Sequence, residues 1–169
     1  NMKGVYLVGR EAARRMRERG AGVILNTASV VAHYGNIGQT NYGAAKAGIA
    51  AFSIIAAREL RRIGVTVNAI CPSAYTRMTE GLRQYSEEEI KKRDPHWVSP
   101  LIVYLASKQA GDITGRVFQA GGGMVAICEG WRRGAETEQM EEPAAVGEWL
   151  RANLSKVRKN SGMDGLELD

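Results

Sequence analysis

The chain has 169 residues, an apolar fraction of 44% and a formal charge of +5, the dimensions of one folded domain with a real core. Its two cysteines, Cys71 and Cys128, stand far apart in no metal-ligand spacing, which argues against a disulfide framework or a metal site and suits the reducing cytoplasm. The first residues form no leader, the longest apolar stretch, GIAAFSIIAA, is far shorter than a membrane span, and no nucleic-acid motif or interleaving of aromatics accompanies the basic residues.

The charge is uneven. From Glu129 onward six basic residues meet nine acidic ones, a net of −3, so the first 128 residues carry +8. This shift in composition divides the chain into a body, 1–128, and an extension, 129–169. Met2 to Arg19 reads as a helix, with Val5, Leu7, Val8, Ala12 and Met16 apolar and Gly20 ending it. Its arginines and glutamates, at helical spacing, form a solvated face. GVILNTAS follows as a buried strand, and the loop VVAHYGNIGQT leads into an alanine-dense helix over Asn41 to Arg62.

GVTVNAICP repeats the strand pattern, closed by Pro72. The polar stretch from Ser73 to Trp97 has the composition of a mobile lid, with SEEEIKKRD as a solvated helix within it. VSPLIVYLASKQAG is a helix with Ser99 placed to cap it and Pro100 at its first position. GRVFQAGGG is a third strand running into glycines. Strands that are apolar throughout, separated by helices, predict an α/β open sheet with parallel pairing and both faces covered. In the extension Pro143 starts an amphipathic helix with Val146, Trp149, Leu150, Leu154 and Val157 on one side; Trp131 and Trp149 read as anchors of the tail, and NSGMDGLELD as a frayed end.

Ligands of open α/β sheets collect beyond the carboxyl ends of the strands, where ILNTAS places Ser29 and NAICPS places Pro72 and Ser73. On the helix between them Tyr42 and Lys46 share one face. Gly43, Ala44, Ala45, Ala47 and Gly48 strip side chains from around that pair, although a helical glycine costs about 1 kcal/mol relative to alanine. Something approaches this backbone closely, either a ligand or another helix. A phenol is a poor proton donor or acceptor at neutral pH, and an ammonium about 5 Å away favours the phenolate form by roughly 3 kcal/mol at an effective dielectric of about 20. His33 reads as a solvated loop residue and Cys71 as a small buried hydrophobe.

These residues resemble the short-chain dehydrogenase/reductase family, whose Tyr-x-x-x-Lys helix follows a strand-end serine by thirteen residues, the interval from Ser29 to Tyr42. GQTNYGAAKAG, VTVNAICP and the opening NMKGVY are similar to successive family blocks in the right order, over about Asn1 to Ala126. The resemblance implies a Rossmann-like doubly wound parallel sheet and an enzyme that transfers hydride between NAD or NADP and a carbonyl or alcohol carbon. It implies a catalytic tetrad of Asn1, Ser29, Tyr42 and Lys46. Lys46 would also hold the nicotinamide ribose, Asn1 would order a water relay to Lys46, and Pro72, Ser73, Ala74, Tyr75 and Thr76 would line the nicotinamide pocket. Helices matching Met2 to Arg19 and Asn41 to Arg62 commonly pack against a second subunit, which implies a homodimer or homotetramer.

Two departures from the family pattern stand out. Ser73 follows Pro72 where the family usually has glycine, in a segment that looks one residue short. PSAYTRMTE, VSPLIVYLAS and GWRRG are similar instead to bacterial members near the (3R)-hydroxyacyl-CoA dehydrogenase unit of peroxisomal multifunctional enzymes, which implies a 3-hydroxyacyl or 3-oxoacyl thioester substrate. No glycine-rich dinucleotide turn occurs, so the N-terminal half of the fold, with its opening β-α units, is expected to be missing and the first strand to present an open edge. A non-catalytic oligomerisation module is the alternative expectation.

Overall fold

In the computed structural model, which describes residues 1–81 and 84–163, strands β1 (Gly22–Thr27), β2 (Val65–Ser73), β3 (Val117–Gly121) and β4 (Met124–Cys128) form one sheet in that order. The strands belong to the first of two units, Asn1–Glu129; the second is Gly130–Asp169. β1 and β2 pair in parallel from Gly22↔Val65 to Thr27↔Ile70, and β2 and β3 from Ala69↔Val117 to Ser73↔Gly121. β1 pairs with β2 alone among the described residues and is an edge of the sheet.

Helices cover both faces, and the alternation of β2 shows how. Val65, Val67, Ala69 and Cys71 point to one side, packed with Ile49, Ala50, Ala56 and Ala57 of α3 (Thr40–Leu60) and with Ala12 and Met16 of α1 (Met2–Arg19). Ile70 points to the other, with Val98, Leu105, Phe118 and Ala120, where α5 (Ser99–Ala106) lies. Residues Val65–Cys71 are buried throughout, as a strand sandwiched between helical layers must be. The expected Rossmann-like α/β architecture is the observed one. Gly20 ends α1 in the left-handed region at φ 68°, and Glu11 bridges Arg14 and Arg15 on its exposed face.

Two buried polar residues pin the layers. Asn26 Nδ2 donates to Ser53 Oγ at 3.0 Å, tying β1 to α3. Asn68, fully buried, donates to the Ile113 carbonyl and accepts the Arg116 N–H, fixing the approach to β3.

The structure differs from the sequence-based expectation in three places. The sheet is mixed, because β4 pairs antiparallel with β3 across a turn of Gly122 and Gly123 at φ 66° and 89°; two consecutive positive-φ residues are what the tightest hairpin requires. Residues Val31–Tyr34, within the expected loop, form the short helix α2. Ser99 does not cap α5, because the 3-10 turn Pro95–Val98 runs straight into the helix and leaves Ser99 with helical angles, φ −60° and ψ −40°. The expected lid stretch carries the charged helix α4 (Glu87–Lys92), begun by a reciprocal Ser86–Glu89 capping box; positions 82 and 83 of that stretch, and 164–169 of the expected frayed end, lie outside the described residues.

In the second unit α6 (Pro143–Leu154) begins at its proline, with Val146, Leu150 and Leu154 partly exposed. Trp131 is 96% exposed and anchors nothing, against expectation. Among the described residues no helix is long and apolar enough to cross a membrane.

Candidate active site

Ser29 stands two residues beyond the end of β1, where the chain turns into α2. The Ala28 N–H donates to the Ile70 carbonyl at 2.7 Å, which carries the β1–β2 pairing one step past the strand. Ser29 Oγ accepts the Val31 N–H at 3.3 Å. A hydroxyl that accepts in this way keeps its own hydrogen free to donate.

Tyr42 and Lys46 lie in the first turns of α3. Lys46 is 9% exposed, and its ammonium donates to the carbonyl of Thr27, at the tip of β1, at 2.8 Å. Burying an ammonium is costly unless it is hydrogen-bonded, and this bond fastens α3 to the strand end two residues from Ser29. The same nitrogen lies 5.7 Å from the centre of the half-buried Tyr42 ring. The Tyr42 hydroxyl has no hydrogen-bond partner among the described residues. The Lys46 ammonium and the Tyr42 ring thus stand at the strand end from which Ser29 follows, and a serine hydroxyl, a phenol and an ammonium are groups able to polarise an oxygen and move a proton to or from it.

The small residues around the pair serve packing. A Cβ on Gly43 would meet Val31 of α2 at 3.4 Å, and one on Gly48 would meet Met2 of α1 at 3.4 Å. On the adjoining face Gly43, Ala44 and Ala47 line a cleft of about 370 Å³ against Val31, Gly35 and Asn36, and neither Tyr42 nor Lys46 belongs to its lining. Neighbouring helices thus lie within ordinary contact distance of Gly43 and Gly48.

Parallel pairing brings the second set of predicted residues to the same rim. With Thr27 opposite Ile70, Ser29 is level with Pro72 in the extended register. Pro72 is exposed, and Ser73 ends β2 opposite Gly121. Ala74 and Tyr75 are half-buried, and Thr76 opens a turn in which its N–H donates to Thr79 Oγ1 at 2.8 Å and its carbonyl accepts the Thr79 N–H at 2.8 Å. Asn1 precedes α1 and is exposed, its carbonyl accepting the Val5 N–H at 3.3 Å. No hydrogen bond joins Asn1 to Tyr42 or Lys46 among the described residues.

His33 is a correction. It lies in α2, half-buried, with Nε2 3.7 Å from Cys71 Sγ, and burial pushes its imidazole below the usual range. Cys71 is fully buried as expected, and Cys128 packs against the same buried cluster. The nearness of the two thiols pulls Cys128 down to about 7 and, with burial, pushes Cys71 up. Sequence reasoning also passed over Arg93, whose guanidinium reaches Ser73 Oγ at 3.2 Å.

A family model described as short chain dehydrogenase matches residues 1–89. The human (3R)-3-hydroxyacyl-CoA dehydrogenase is 38% identical over 133 residues, 73% of this chain and 51% of that protein. A crystal structure of a short chain dehydrogenase from Mycobacterium avium superposes with a TM-score of 0.82 at 39% identity, covering 99% of this chain and 58% of the other. Full-length peroxisomal multifunctional enzyme type 2 from Drosophila melanogaster gives a TM-score of 0.76 at 26% identity, over 92% of this chain and 28% of the other. The chain thus spans about half the length of its human relative.

Proposed function

Since the chain belongs to the short-chain dehydrogenase family, near the type 2 multifunctional enzymes, we propose that it is the substrate side of an NAD(P)-dependent oxidoreductase for a 3-hydroxyacyl or 3-oxoacyl thioester. The observation that supports this most is the meeting of Tyr42, Lys46 and the strand end before Ser29, joined by the bond from Lys46 to the Thr27 carbonyl. The two free cysteines suit a reducing compartment such as the cytosol.

The residues present fit a nicotinamide dinucleotide. Beyond its bond to Thr27 the Lys46 ammonium keeps two hydrogens for ribose hydroxyls. Pro72, Ser73, Ala74, Tyr75 and Thr76, level with Ser29 across the sheet rim, would face the nicotinamide. Bound there, NAD or NADP supplies or accepts the hydride.

Ser29 donates its hydroxyl hydrogen to the C3 oxygen of the acyl chain and holds that oxygen in place. In reduction Tyr42 gives its proton to the C3 oxygen; in oxidation it takes that proton away. The Lys46 ammonium stabilises the negative charge that develops on the phenol oxygen during the exchange. Asn1, one residue before α1, would order a water path that returns the proton to solvent through Lys46.

Two surfaces bear on assembly. β1 leaves its outer edge open, where a further strand would pair. α1 and α3 expose Tyr6, Leu7, Val8, Ile54 and Ile55, with Val8 71% and Ile55 56% in solvent, a stripe suited to a second subunit. The test is oxidation of NADH or NADPH with acetoacetyl-CoA by the chain joined to a glycine-rich β-α half of a short chain dehydrogenase. Turnover is the expected result. No turnover, together with a dimer in sedimentation equilibrium, would leave the non-catalytic assembly module instead.

A further inference from the structure

Arg93 follows α4 at the far end of the charged stretch, twenty residues from Ser73, and three of its groups converge on the rim that begins at β2. Its Nη1 donates to Ser73 Oγ at 3.2 Å. Its guanidinium carbon lies 4.9 Å from the centre of the Tyr85 ring, a cation–π contact, and Tyr85 in turn meets Tyr75 edge to face at 5.8 Å. Its backbone carbonyl accepts the Tyr75 N–H at 2.7 Å. No carboxylate pairs with Arg93 among the described residues, so its charge is spent on a hydroxyl and a ring.

The glycines of the β3–β4 turn make room for this arrangement. A Cβ on Gly122 would stand 3.2 Å from Ser73 Oγ and 3.4 Å from Arg93 Nη1, and one on Gly121 would strike the Ser73 carbonyl. Ser73 itself is where this chain departs from the Pro-Gly expected of its family, and its hydroxyl is the group that Arg93 holds. A glycine there would leave the guanidinium without its acceptor.

We infer that Arg93 is a positioning residue that clamps Ser73 and Tyr75 against the glycine turn and thereby sets the shape of the nicotinamide side of the site. The serine after Pro72 and Arg93 form one device, in which the hydroxyl of the one accepts from the guanidinium of the other. The inference rests on the dehydrogenase reading for its functional consequence and on the contacts above for the clamp.

The test uses Arg93→Leu, Arg93→Lys and Ser73→Gly. In the full chain, hydrogen exchange at the Tyr75 amide is expected to speed up about tenfold in Arg93→Leu, the loss of one charge-assisted bond, while exchange in β1 and α3 stays as in the parent and reports an intact fold. In the complemented, active protein Arg93→Leu raises the KM for the nicotinamide cofactor about tenfold and leaves kcat within about twofold. Arg93→Lys recovers only part of this because it lacks the planar fork, and adding Ser73→Gly to Arg93→Leu changes nothing further. Unchanged exchange and KM in Arg93→Leu, or effects of the two positions that multiply, would overturn the inference. If the parent shows no turnover the dehydrogenase reading fails, and the exchange experiment alone then decides the clamp.

Discussion

Cys71 and Cys128 lie 57 residues apart in the sequence, yet Cys128 of β4 packs against the buried cluster that holds Cys71 of β2. The neighbouring Cys71 thiol favours the thiolate at Cys128, which stands at about 7. Alkylation of Cys128 by iodoacetamide should therefore rise with pH through about 7 and level off above it, because only the thiolate reacts. In Cys71→Ala the neighbouring thiol is gone and the midpoint should move up towards the ordinary thiol range; an unmoved midpoint would contradict the coupling of the two thiols. The contrast with Tyr42 and Lys46 shows which residues a sequence can reveal. Those two are one helical turn apart, so their adjacency follows from the helix alone. His33 and Cys71 are 38 residues apart and Arg93 and Ser73 are 20 apart, so both contacts depend on how α2 and α4 fold back over the sheet rim.

Elements show the same division. α1, α3 and the first three strands were legible because each carries its own apolar period and punctuation, such as Gly20 after α1 and Pro72 near the end of β2. The strand β4 is not, because GRVFQAGGG reads as a strand that simply runs out into glycines. The signal was nonetheless present, because Gly122-Gly123 between FQAG and MVAIC is a two-residue hairpin turn. The glycines at and beside the turn are unequal, and a pair of substitutions measures this. At Gly121, φ 95°, an added Cβ would strike the Ser73 carbonyl, so Gly121→Ala combines backbone strain with a clash and should cost about 3 kcal/mol. At Gly123, φ 89°, the nearest atoms lie 4.0 Å away on the flexible Lys92 side chain, so Gly123→Ala carries strain alone and should cost about 1 kcal/mol. Urea unfolding of the two variants gives the difference, and equal losses would show that the Ser73 contact matters little.

At the scale of the molecule, the sequence foretold the layered α/β body and an exposed first strand, and among the described residues β1 is indeed one edge of the sheet. The family blocks also carry the candidate site, since Ser29 follows β1 and Pro72 and Ser73 close β2 at the same end of parallel strands. The surfaces that this body leaves facing outward include the edge of β1 and exposed apolar residues of α1 and α3. The account as a whole turns on Tyr42 as the group that exchanges the proton. Its most direct test is Tyr42→Phe in the complemented protein, which removes one oxygen and keeps the ring beside Lys46. Turnover of acetoacetyl-CoA should fall by at least about 100-fold, the scale of a lost general acid, with the KM for the nicotinamide cofactor little changed; turnover equal to the parent's would contradict it.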